Sequence, residues 1–224
     1  MNHFRELRRN DFNTGRFRQL GLLLFWPVFS LLFGLAERAT PGRYYIMHSP
    51  LDDLIPFCEV FIVPYLFWFV YLGGMVVYAL LFEAECFAKL MKFIIVTYSA
   101  TLAIYFLFPT AQELRPAAFE RDNLFTGLVG SYYAFDTNTN VCPSLHVTGS
   151  LAAMFAAWNS RRFSKMKWKT AFFAAALLIC MSTVFLKQHS ILDVFAALLL
   201  CVLAYPLVYR KTDKKPSRGF AASQ

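Results

Sequence analysis

Two short segments of this 224-residue chain bring together side chains able to move protons or phosphoryl groups at the edges of apolar runs. They are Cys142-Pro143-Ser144-Leu145-His146 and the run from Ser182 through Lys187, Gln188 and His189 to Asp193. Each holds one of only four histidines in the chain. His189 and Asp193 are spaced i, i+4, so on a helix they share one face. A carboxylate one turn from an imidazole can accept the proton of one ring nitrogen. That fixes the tautomer and leaves the other nitrogen free as a nucleophile, the orienting logic of a triad. The same spacing also fits a buried Asp–His pair that ties helices together.

The other candidates are each ambiguous alone. Pro143-Ser144 reads as a helix opening, with proline in the first turn and serine as its cap. The free N–H groups of such a start attract anions. His146 falls within that turn, where it could protonate a leaving oxygen. Arg115, followed by Pro116, supplies a planar, permanently charged donor suited to phosphate, or is an interfacial arginine in a loop. Lys187 is a second cation, or a lysine snorkelling to water. Ser182 could hydrogen-bond a phosphate, or be an ordinary helix serine. Two histidines, two cations, two serines and an aspartate beside apolar segments are jointly hard to assign to packing, because polar groups at a bilayer edge are costly unless paired or used.

The elements that must position these residues are membrane helices. The chain is 58% hydrophobic and only 16% charged, with 25 phenylalanines and a mean hydropathy of +0.45. A soluble domain of this length would carry far more charge. Crossing ~30 Å of hydrocarbon takes ~20 helical residues. Nearly charge-free runs occur at about 20–36, 60–82, 93–111, 170–186 and 190–209, with a weaker, alanine-rich sixth at about 143–158. Pro27, Pro64 and Pro206 inside these runs are tolerable in membrane helices. The expectation is an all-α, six-span bundle at 20–209, between basic tails at 1–19 and 210–224, with the first apolar run retained as a span instead of cleaved as a signal. The five cysteines are scattered and show no metal-binding spacing, so they read as packing residues.

Six spans put both ends on one side of the bilayer. Seventeen of the 22 basic residues fall on that side, in the two tails, the loop 161–169, and a short second loop expected to hold Lys89 and Lys92. The positive-inside rule makes this face cytoplasmic. The net charge of +8 then reflects topology and contact with anionic lipid heads, and no nucleic-acid motif accompanies it. Both histidine motifs and the long loop 110–142 fall on the opposite, extracytoplasmic face. That loop connects two spans, with a lid or an interfacial helix as its more specific possibilities. The loop between the last two spans must be very short.

These motifs resemble those of the type 2 phosphatidic acid phosphatase (PAP2) superfamily, whose signatures are Lys-x6-Arg-Pro, Pro-Ser-Gly-His and Ser-Arg-x5-His-x3-Asp. Arg115-Pro116 resembles the end of the first, and Pro143-Ser144-Leu145-His146 the second with leucine for glycine. Ser182-Thr183, five residues, His189, three residues and Asp193 resemble the third with threonine for arginine. Two cations of the pattern are absent: Phe108 stands at the lysine position and Thr183 at the arginine. Lys187 is the candidate to restore one. The Pro-Ser-Leu-His form is similar to inositol phosphorylceramide synthases and relatives of sphingomyelin synthase.

The resemblance implies a PAP2/haloperoxidase-like helical bundle in which His189 attacks phosphorus to form a phosphohistidine and Asp193 orients it. His146 would protonate the leaving group and then activate the acceptor, while Arg115, Lys187, Ser144 and Ser182 hold phosphoryl oxygens. No cofactor or metal is implied. The leading expectation is a lipid phosphate phosphatase acting on a phosphomonoester or diphosphate in the bilayer. The alternatives are a phosphotransferase moving a phosphorylated head group to a lipid alcohol, a non-catalytic lipid-binding protein, and last a transporter, against which stand the polar residues gathered at one face instead of the midplane.

Overall fold

The computed structural model describes residues 19–39 and 42–210. Apart from Gln19 and Arg210, the basic tails expected at 1–19 and 210–224 lie outside the described residues. Eight α-helices form the described fold. A 3-10 turn at Gly21–Leu24 leads into α1 (Phe25–Arg38). After strand β1 (Tyr45–Ile46) come the short α2 (Pro50–Leu54) and a 3-10 turn, Glu59–Phe61. Then follow α3 (Ile62–Phe82), α4 (Ala84–Leu107), strand β2 (Thr110–Ala111), α5 (Leu124–Phe135), α6 (Leu145–Asn159), α7 (Met166–Phe185) and α8 (Ile191–Tyr209). Five of these segments, Gly21–Arg38, Glu59–Phe82, Ala84–Leu107, Met166–Phe185 and Ile191–Tyr209, are long and apolar enough to cross a membrane. Their outward faces carry exposed Leu31, Val63, Val70, Leu199, Leu203 and Leu207, the surface a bilayer solvates. The chain is a multi-pass helical membrane protein.

The sixth expected span differs from the others. Helix α6 has 15 residues, about 22 Å of helix, short of the ~30 Å of hydrocarbon. It sits at the centre of the bundle, packed by α3, α4, α7 and α8. A helix enclosed by protein has no lipid thickness to match. Its buried Ala152, Ala153, Ala156 and Ala157 let the large side chains of α4 (Phe87, Leu90, Met91, Phe93 and Ile94, all fully buried) approach closely. The alanine content that weakened this segment's hydropathy is what allows the close packing.

One sequence expectation needs correcting. Lys89 and Lys92 are not in a loop: α4 starts at Ala84, and the link from α3 is Glu83 alone. The apolar run was counted from residue 93, but charged residues are tolerated in the first turns of a membrane helix, where Lys89 pairs with Glu85 one turn earlier at 2.7 Å. The long 110–142 connection is also largely structured. It pairs β2 in parallel with β1 and then forms α5, capped by Asn123, whose side chain accepts from Phe125 N and Thr126 N.

Glu83 ties one end of the bundle together. Its carboxylate accepts from Tyr78 Oη (2.7 Å), Ser160 Oγ (2.6 Å), and the backbone N–H groups of Arg161 (3.0 Å) and Arg162 (3.3 Å). Burial alone would raise its pKa, but these hydrogen bonds outweigh it and hold the group below its ordinary value. A depressed carboxylate stabilises the fold above its unfolded pKa, and that contribution is lost as pH falls through the folded value, below about 4.5. Glu83→Ala is expected to cost about 1–3 kcal/mol, read as a lower thermal midpoint of the detergent-solubilised protein at pH 7. An unchanged midpoint would show that the loop after α6 holds without it.

Candidate active site

The opposite end of the bundle collects the sequence motifs. Helix α7 stops in a two-bond C-cap: Lys187 N donates to Val184 O (3.1 Å) and Gln188 N to Thr183 O (3.0 Å). The C-cap position is Leu186, and in such a cap the residue after it adopts the left-handed conformation, usually as glycine. Here it is Lys187, at φ +53°. A side chain at this φ is strained by order 1 kcal/mol, and the lysine is secured from above, where its ammonium donates to the carbonyls of Asp52 (2.6 Å) and Ile55 (2.5 Å). The sharp turn Leu186–Ser190 then delivers His189 to the mouth of the bundle, its own N–H bonded to Thr183 O at 3.1 Å.

Helix α8 begins immediately after it. Ser190 and Asp193 form a capping box, in which Ser190 Oγ accepts from Leu192 N and Asp193 Oδ2 accepts from Ser190 N at 3.0 Å. The same Asp193 oxygen lies 3.2 Å from His189 Nδ1. Asp193 is fully buried and His189 nearly so. With the carboxylate oxygen as acceptor, Nδ1 carries the proton and Nε2 keeps its lone pair. A second carboxylate reinforces the cap: Asp52 of α2 accepts from Ser190 Oγ (2.6 Å) and Ile191 N (2.8 Å), besides capping its own helix through Ser49 N (2.8 Å).

Helix α6 presents the second histidine. The His146 and His189 rings lie 6.2 Å apart, centre to centre, close enough for one phosphoryl group to be reached from both. His146 stacks on Tyr65 (4.2 Å) and lies tilted against Trp68 (4.4 Å) of α3, with Nδ1 3.5 Å from Tyr65 Oη and Nε2 buried without a partner. Ser144 is the N-cap residue, so Pro143 precedes the helix instead of sitting in its first turn. The Ser144 hydroxyl makes no capping bond and is buried without a partner, while its N–H bonds Asp193 O at 3.2 Å. The starts of α6 and α8 are thereby joined directly.

Gly149, one turn below His146, makes this packing possible. A Cβ there would meet Tyr98 Oη at 2.7 Å and the Trp68 ring at 2.9 Å. With His146 in the proton-donating role expected from the sequence, Gly149→Ala, by pushing Trp68 off it, is expected to lower turnover by about tenfold or more. Turnover measured beside circular dichroism checks this; intact helices with unchanged turnover would sink it.

Arg115 lies at the rim and is already engaged. Its guanidinium donates to the carbonyls of Tyr133 (3.2 Å), Asp136 (3.1 Å) and Thr137 (2.7 Å) and to Gln188 Oε1 (2.6 Å), and it stacks on the Tyr133 ring at 4.5 Å. Only Nε remains, buried and unpartnered. Ser182 is buried in α7 and donates to Ile179 O at 2.6 Å. Of the sequence candidates, His146, His189, Asp193 and Ser144 come together at the bundle mouth with Arg115 beside them. The donors of Lys187 and Ser182 are directed to backbone carbonyls.

Sequence reasoning missed Asp52, Tyr65, Trp68, Asp136 and Gln188. Asp52 had a signal, the capping-box pattern Ser49-x-x-Asp52 after a polar loop. Asp136, whose carboxyl is raised by burial despite the attraction of His189 and Arg115, had none. Nor did the two aromatics, which look like any other residues of an apolar span.

Comparison with known proteins adds one finding. The family model described as the PAP2 superfamily matches residues 89–217, more than half the chain, and takes in all three motif segments. No curated protein and no solved structure matches the chain.

Proposed function

The chain belongs to the PAP2 superfamily, and from that membership we propose a lipid phosphate phosphatase that works through a phosphohistidine on His189. The observation that carries the reading is the 3.2 Å His189–Asp193 pair facing His146 across 6.2 Å, at the bundle end opposite the basic loop 161–169. By the positive-inside rule that basic end is cytoplasmic, so the site opens extracytoplasmically in the cell membrane. Residues 20–209 then form one catalytic domain.

The Nε2 lone pair of His189 attacks phosphorus while the bond to the lipid oxygen breaks, and His146 gives that oxygen its proton. Asp193 balances the imidazolium charge that develops on His189. His146, now neutral, takes a proton from the incoming water, which displaces the histidine and restores both groups. The Ser144 hydroxyl and Arg115 Nε hold the phosphoryl oxygens as charge redistributes. Ser182 and Lys187 support the turn that carries His189.

A second reading, transfer of a phosphorylated head group to a lipid alcohol, is favoured by Phe108 and Thr183 at the two cation positions of the family pattern. The test is phosphate release by purified protein in detergent, without added metal. Phosphatidic acid, phosphatidylglycerol phosphate and polyprenyl diphosphate are offered beside a His189→Ala control. Release abolished in the control supports the phosphatase. No release from an intact protein, followed by turnover once a lipid alcohol is added, supports the transferase.

A further inference from the structure

We propose that Gln188 binds the substrate phosphoryl group, its carboxamide donating to a non-bridging oxygen as an uncharged substitute for a missing cation. This rests on the reading of His189 as the reacting residue. The residue is an integral part of the turn that carries His189, since both backbone N–H groups bond Thr183 O. Its side chain is equally fixed. Arg115 Nη2 lies 2.6 Å from one terminal atom of the carboxamide, and a guanidinium has only donors, so that atom must be the oxygen. The NH2 group therefore points away from Arg115. It is buried without a partner in a residue only 3% exposed.

A buried NH2 group with no protein partner is unusual in a well-packed protein and calls for an acceptor. It does not stand alone. Arg115 Nε, Ser144 Oγ and His146 Nε2 are likewise buried and unpartnered, and all can act as donors. The three segments that carry these atoms are the three that carry the family motifs. Beside one unpartnered acceptor in the same segments, Asp193 Oδ1, these four donors fit an anion, and a phosphoryl group beside His189 would satisfy them. At the family's two cation positions Phe108 and Thr183 offer no charge, and Thr183 Oγ1 donates to Cys180 O at 2.8 Å. Gln188 supplies hydrogen bonds where those cations would have supplied charge as well.

Gln188 could instead serve only as a tether for Arg115, and Gln188→Glu separates the two roles. It keeps an oxygen for Arg115, and strengthens that link, while replacing the NH2 donor with a second acceptor. Binding of inorganic phosphate to purified, detergent-solubilised full-length protein is measured by calorimetry, beside KM and kcat for whichever lipid phosphate is turned over. The donor role predicts phosphate binding weakened by about tenfold or more, and a raised KM, with the thermal midpoint retained. Phosphate binding equal to or tighter than that of the unaltered protein would overturn it, as would an unaltered protein that binds no phosphate. If the glutamate variant misfolds, Gln188→Met made in an Arg115→Met protein, where no tether is left to lose, decides the matter: binding weakened further supports the proposal, and binding equal to that of Arg115→Met alone overturns it. Phosphate binding that depends on Gln188 in a protein that turns over no lipid would leave the proposal standing and sink the catalytic reading. Turnover with binding indifferent to Gln188 would do the reverse.

Discussion

His189→Ala is expected to reduce turnover of a lipid phosphate by roughly 10^4-fold or more, the scale of losing a covalent nucleophile. On the proposed mechanism, removing the imidazole removes the atom to which the phosphoryl group transfers. Asp193→Asn tests the partner without breaking the helix start. The amide oxygen can still accept from Ser190 N, as Asp193 Oδ2 does at 3.0 Å, so α8 stays capped. On the same mechanism the negative charge that would steady the imidazolium is gone, and a loss of about 10^3-fold is expected. Both variants should retain the thermal midpoint to within a few degrees. A His189→Ala protein with ordinary turnover would sink the phosphohistidine mechanism, and an active Asp193→Asn protein would reduce the pair to a structural contact.

The second large effect is expected from a residue that touches no substrate. Asp52→Ala removes acceptors from Ser190 Oγ, Ile191 N and Ser49 N, all in or beside buried surroundings. Each group left without a partner costs about 1–3 kcal/mol, and bonds to a charged acceptor lie at the upper end. A loss of about 3 kcal/mol is the expected sum once water reaches the more exposed of them. Because Asp52 also anchors the segment whose carbonyls hold Lys187, the turn carrying His189 should loosen and turnover fall with stability. Denaturation of the solubilised protein beside kcat reads both. Asp52→Asn, which keeps one accepting oxygen, should fall between. A midpoint unmoved by Asp52→Ala would mean that α8 is capped adequately by Ser190 alone.

The membrane helices were legible because hydrocarbon demands length and apolarity and little else. The 20–36, 60–82, 170–186 and 190–209 runs match helices to within a few residues. The 93–111 run did not, because hydropathy ignores what a charged helix end can do with an i, i+4 partner such as Glu85–Lys89. The pairing of His189 with Asp193 was legible as a spacing but not for the expected reason: α8 starts only at Ile191, so His189 reaches the carboxylate from the turn before the cap and not from a shared helix face. Contacts that depend on distant chain were not. Nothing near Arg115 announces three carbonyls from 133–137 and the side chain of Gln188. Lys187 read as a cation available for phosphate, while its left-handed backbone and its bonds to Asp52 O and Ile55 O become visible only once α2 is in place. Trp68 over His146 was out of reach because apolar spans hide aromatics among many like them.

The cap that Asp52 places on α8 also has a timetable. Its acceptors are answered by Ile191, 139 residues later in the chain. At ~5–20 residues per second of synthesis, roughly 7 to 28 s separate the emergence of the carboxylate from that of its partners. Through that interval the connection between α1 and α3 has a buried position to occupy but no α8 to occupy it with. The turn bearing His189 is therefore set late, and the nascent protein cannot complete the candidate site before α8 has been inserted.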